Sequence, residues 1–265
     1  MESLTSIILP VLDTMPQSHL KGELLREFPR HTSEFRDIED CFSKLTTGKR
    51  SPELLRPFFQ SWSQTNNSAM TVAGISNRLT LIKHKSRKVA DEAALFRAIV
   101  SLNRIVDEDL AVTGTVLHSQ MFYTMATDIV GDDLWLSRHY LHDSAREFKD
   151  WKDRNSLRNR DLMIALLTTL VHEIYTHGEV EFILPRFRRW QEEEYGRSTR
   201  EAMKTLTWIH VHCGPTEKNH FFHALAAVGH YAQAMGVHVE DYSLTAIVED
   251  YLKKKSAVMR SLFVN

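Results

Sequence analysis

Two runs decide how this chain folds: TTLVHEIYTHGEVEFILPRFRRW (168–190) and TLTWIHVHCGPTEKNHFFHALAAVGHYAQAM (205–235). Apolar residues return every three or four positions in both, which is the period of a buried helix face. Seven of the chain's fourteen histidines lie here, with Glu173, Glu179, Glu181 and Glu217 among them. Glu173, His177 and Glu181 are spaced i, i+4, i+8 and share one helix face, while Glu179 reads as turned away to solvent. Glu217 and His220 are i, i+3, the spacing by which one helix offers a carboxylate and an imidazole to one ion. Imidazoles and carboxylates converging from separate helices, without paired thiolates, favour Fe(II) or Mn(II) over structural zinc.

Gly214-Pro215 interrupts the second run. On an unbroken helix His212 and His220 would stand about 12 Å apart along the axis, too far for one compact site. Proline suits the first position of a new helix, and glycine tolerates the angles of a break. A discontinuity at 213–215 is therefore expected, swinging His212 back toward Glu217 and His220.

Working outward, the pattern is helical nearly throughout. Residues 1–50 are the least regular, an N-terminal extension with short helices at Leu4 to Leu12 and Glu34 to Leu45. Ser51-Pro52-Glu53 is a strong helix start, and that helix reads on to Ile82 with Asn66-Asn67-Ser68 as the candidate bend. Further helices are expected from Val89 to Glu108, Gly114 to Ile129 and Leu134 to Trp151. Arg160 to Trp190 follows, with a proline kink near Glu181, then Thr199 to His212, Pro215 to Met235 and Asp241 to Leu262. With ten glycines, seven prolines and no internal repeat, the chain reads as one all-α domain, a bundle of roughly seven to nine helices.

Composition narrows the function. Apolar residues make up 43% and the net charge is −1, so no global field draws in nucleic acid or a membrane. The basic runs at 83–88 and 253–255 read as solvated faces. No stretch approaches the roughly 18 apolar residues a spanning helix needs, and no signal peptide is evident. Two cysteines, Cys41 and Cys213, without close pairing, read as reduced thiols of a cytoplasmic protein.

The acidic run Asp107-Glu108-Asp109 ends an apolar helix, and His118 follows in an apolar segment. Taken alone, the first reads as a solvated helix end and the second as a core histidine. Together with Asn103, Phe122 and Gly131, with Glu181-x-x-x-Pro185, and with His212 and Glu217-x-x-His220, they form an ordered set. In that set the chain resembles the haem-oxygenase-like dimetal oxidases, which share the haem oxygenase and TenA-type fold. The resemblance spans about half of the chain, Leu95 to Ala232. It implies two metal ions, iron with manganese as the other candidate, and no haem. It implies Glu108, His118, Glu181, His212, Glu217 and His220 as their ligands. Cys213 and Glu217 depart from the family's H-x-x-x-D-x-x-H segment, and Thr115 stands where some relatives carry a glutamate. Around the ligands, Glu173, Tyr175, His177, Trp208 and His223 are expected as supporting or pocket residues.

The implied activity is oxidation of a small organic substrate, amino-acid-derived in some relatives, by dioxygen: N-oxygenation, desaturation or C–C cleavage. An external reductant and a homodimer are compatible with it. Two other readings stay open. One is a metal-free TenA-like enzyme, for which Cys213 is the one nucleophile candidate. The other is a non-catalytic helical binding protein with structural histidines.

Overall fold

The computed structural model describes residues 2–66, 68–84, 89–110 and 116–263. Asn67, residues 85–88 of the first basic run, Gly114 and Thr115 lie outside them. Every regular element among the described residues is helical. In chain order the α-helices are α1 (Leu4–Asp13), α2 (His19–Glu27), α3 (Thr32–Leu45), α4 (Pro52–Asn66), α5 (Ala69–His84) and α6 (Glu92–Asp109). They continue as α7 (His118–Val130), α8 (Asp143–Asp153), α9 (Leu162–Tyr195), α10 (Thr199–Thr205), α11 (Thr207–His212), α12 (Pro215–Met235) and α13 (Thr245–Ser261). The all-α expectation holds, and the helices of bundle length number close to those foreseen. The excess comes from short pieces such as α2, α10 and α11.

The centre of the bundle is α9. From Met163 to Val180 almost every side chain is buried, so this helix is enclosed on all sides. Its neighbours are α12, α1, α10, α11, α13 and α5, and α12 lies against α6 as well. The helix runs through Pro185 as a single element. Gly178 lets α1 approach closely: a Cβ there would stand 2.5 Å from Cγ1 of Ile8.

Three expectations require correction. Residues 1–50 are not a looser extension: α1, α2 and α3 bury Leu4, Ile8, Leu24, Ile38 and Phe42 completely. The expected helices at Leu4 to Leu12 and Glu34 to Leu45 are present as α1 and α3; the nine-residue α2 between them carries too few periods for pattern alone to reveal it. Leu134 to Trp151 is not one helix. It begins as two single 3-10 turns, Leu134–Leu136 and Arg138–Tyr140, before α8. Glu179, read as solvent-facing, is fully buried and accepts hydrogen bonds from Trp62 Nε1 at 2.9 Å, Asn66 Nδ2 at 2.9 Å and Tyr175 at 2.6 Å. Lys255 Nζ completes its shell at 2.9 Å. An enclosed helix has no solvent side for Glu179 to face.

Candidate metal centre

The end of α6, the start of α7, α9 and the junction of α11 with α12 meet at one place. At the junction Cys213 is extended (φ −79°, ψ 168°) and Gly214 takes φ 70°, ψ −127°, a conformation that only glycine adopts without strain. Pro215 then opens α12. The expected break is present, and it sets His212 Nε2 3.7 Å from Glu217 Oε1. Two triads result. Asp109, His118 and His212 form one, and Glu173, Glu217 and His220 form the other; within each, the potential ligand atoms lie within 4.8 Å of one another. The His212–Glu217 approach joins them.

Each central imidazole is held by its outer nitrogen. His212 Nδ1 lies 2.6 Å from the carbonyl oxygen of Trp208, one helical turn back, and the Trp208 ring packs tilted against the imidazole at 4.6 Å. Nε2 is thereby turned toward Glu217 and toward Asp109 Oδ1 at 3.9 Å. His220 Nε2 pairs with Glu108 Oε2 at 2.9 Å, which turns Nδ1 toward Glu217 Oε2 at 3.5 Å and Glu173 Oε2 at 3.8 Å. His118 Nδ1 lies 3.3 Å from Asp109 Oδ1. Ligand histidines are ordinarily fixed this way, by a carbonyl or a carboxylate on the far nitrogen.

The carboxylates fit a cation. Glu173 is 1% exposed, and neither its Oε1 nor Oε2 of Glu217 has a hydrogen-bond donor. Burial, then the charge of Glu217, pushes Glu173 well above the usual carboxylate range. Two buried acids side by side cannot both ionise cheaply without an opposite charge between them. Burial would lower His220, but the hydrogen bond to Glu108 and the nearby charges of Glu217 and Glu173 outweigh it and push it up to about 12. Burial likewise opposes ionisation of Asp109, yet the bond to His118 and the neighbouring histidines hold it below its ordinary value.

Of the expected ligands, the structure brings together His118, His212, Glu217 and His220. Glu108 touches the cluster from outside, through His220, and its neighbour Asp109 points in. Glu173, expected to support the site, is inside it. Glu181 joins neither triad; its Oε1 accepts from the Gly214 amide and so braces the break. Trp208 supports His212 as described. His177 is buried with Nδ1 unpartnered, Tyr175 belongs to the Glu179 network, and His223 is half-buried near Arg104 and Glu108. Asp109 was missed because three consecutive acids at a helix end carry no periodic signal. Only the packing of α6 on α12 separates Asp107, which is exposed, from Asp109.

A cavity of about 520 Å³ opens onto the first triad, reaching Asp109, His118 and His212. Its walls come from α4, the start of α5, α7, α11 and the turn at Trp135.

No protein-family model and no curated protein matches the chain. Among solved structures it is similar to a TenA homolog from Pseudomonas syringae pv. tomato str. DC3000, over 96% of both chains, with a TM-score of 0.70 at 13% sequence identity. The chain thus has a TenA-like, all-helical fold.

Proposed function

We propose that this protein is a non-haem dimetal oxidase or oxygenase acting on a small organic substrate. The observation that carries the reading is the pair of linked triads, with buried carboxylate oxygens that no donor satisfies. Asp109, His118 and His212 would hold one ion, and Glu173, Glu217 and His220 the other, with Glu217 placed to serve both. Iron or manganese in such a carboxylate–imidazole setting supplies electrons for reaction with dioxygen.

The chain's own residues have separable tasks. Glu108 and the Trp208 carbonyl orient His220 and His212. Phe122 and Trp208, in edge contact at 4.9 Å, give the centre an apolar wall on the cavity side. The cavity admits substrate at the Asp109–His118–His212 face, while the second triad stays buried behind it. Cys213 does not suit the metal-free alternative: burial and the charges of Glu181 and Glu217 push its thiol up, the wrong direction for a nucleophile.

Anaerobic Fe(II) titration tests the reading. Two ions per chain are expected, with dioxygen consumed on exposure, and a His212→Ala/His220→Ala variant should bind neither ion. Fewer than two ions bound at saturating Fe(II), or unchanged binding by that variant, would overturn it.

A further inference from the structure

Four features of the cavity bear on what enters it. Its walls are aromatic: Phe122 meets Trp208 at 4.9 Å and Trp135 at 5.9 Å, and Tyr123 meets Trp135 at 6.1 Å. Its polar groups away from the triad are neutral amides and hydroxyls, led by Gln60 and Gln64, one turn apart on α4. Among the described residues no lysine or arginine lines it, and the one acidic side chain that does is Asp109, already committed to the histidines. Arg186, the cation nearest in sequence to Glu181, instead donates to the Phe182 carbonyl at 2.7 Å and covers the Phe182 ring. The surroundings of the mouth are apolar as well. Met70, Tyr123 and Leu136 line the cavity yet are 66%, 40% and 47% exposed, and Val116, Leu117 and Leu134, adjacent in sequence to lining segments, are also exposed.

The two amides are set to meet a neutral partner. Gln60 Nε2 donates to the Leu136 carbonyl at 3.3 Å and Gln64 Nε2 to Ser63 Oγ at 3.1 Å. That leaves each side-chain carbonyl to accept from an N–H or O–H of a ligand, and one N–H of each amide to donate. A carboxylate carried into this part of the cavity would lose its hydration and gain no cation, which is costly. Aromatic rings, by contrast, find edges and faces on both sides.

From this we infer that the cavity takes an uncharged aromatic molecule bearing a hydrogen-bond donor, and excludes free amino and fatty acids. The inference rests on the dimetal reading only for what happens to the molecule after it binds. Binding itself is a property of the α4–α5–α7–α11 walls.

Calorimetric titration of metal-free protein with indole-3-acetamide, indole-3-acetate and nonanamide tests it. Without metal, no ion can capture the acid directly. The aromatic amide should bind at least tenfold more tightly than either the aromatic acid or the aliphatic amide. Gln64→Arg, which supplies the missing cation, should raise affinity for indole-3-acetate at least tenfold. Equal affinity for acid and amide in the wild-type protein would overturn the claim of an uncharged ligand, and equal affinity for nonanamide the claim of an aromatic one. Loss of iron binding with the amide preference intact would overturn the dimetal reading and leave this inference standing.

Discussion

Glu108 and Asp109 are neighbours with opposite assignments, and their side chains explain why. Glu108 is partly exposed, at 41%, and reaches the outer nitrogen of His220, whereas Asp109 is 11% exposed and faces two histidines. Glu108→Gln keeps a hydrogen-bonding group beside His220 and should weaken metal binding about 10- to 100-fold without changing the number of ions at saturation. Asp109→Asn should lose one ion outright. Metal content after equilibrium dialysis separates the two, and equal losses in both variants would contradict the assignment. Lys152 shows what a buried charge does elsewhere. Burial pushes it down to about 7 from 10.5. Between those values the unfolded chain holds a proton that the folded chain has released, so stability rises with pH across that window. In paired denaturant titrations, the wild-type protein should gain on Lys152→Met from pH 7 to 10, by up to about 1.4 kcal/mol per pH unit. Parallel stability curves would refute the shift.

At the scale of elements, the α11–α12 junction decides whether a site exists. Gly214 stands at φ 70° with ψ −127°, so Gly214→Ala should cost roughly 1–3 kcal/mol and loosen His212. The bent segment also encloses unsatisfied carboxylates, and metal binding should tighten it. Amide exchange over residues 210–223 should slow on adding Fe(II) and slow less in Gly214→Ala; identical protection with and without metal would show that the metal plays no part in ordering it. This junction was legible from sequence because proline and glycine act locally: one lacks an N–H, the other a Cβ. The long helices α9 and α12 were legible from periodicity, and α12 begins and ends where its Pro215 and Gly236 place it. What could not be read is equally physical. The choice between Glu108 and Asp109, and Glu173 inside the site with Glu181 outside it, depend on rotations of α6 and α9 that only their partners determine. The split of Thr199 to His212 at Leu206 is a local change of backbone angles that no breaker residue announces.

Across the whole molecule, two kinds of buried carboxylate lie on the same helix, and they sort function from framework. Glu173 and Glu179 are both buried in α9. Glu179 is met by donors from α4, α9 and α13, including Lys255 at 2.9 Å, which itself reaches Thr65 Oγ1 and Asn66 Oδ1 at 2.9 Å. Every charge there has a partner within the chain, and the network ties helices from the first quarter, the middle and the end of the sequence together. Glu173 has no such shell, and its Oε1 has no donor. The contrast predicts opposite responses. Lys255→Met strands a buried carboxylate and should cost about 3–5 kcal/mol, while Lys255→Met/Glu179→Gln, which removes both charges, should recover much of that loss. Glu173→Gln should leave metal-free stability unchanged or raised, because it removes a costly buried acid, and should abolish one ion's binding. Chemical denaturation of the metal-free variants decides between these outcomes. If Glu173→Gln were as destabilising as Lys255→Met, Glu173 would belong to the framework and the second triad would lose its claim as a site.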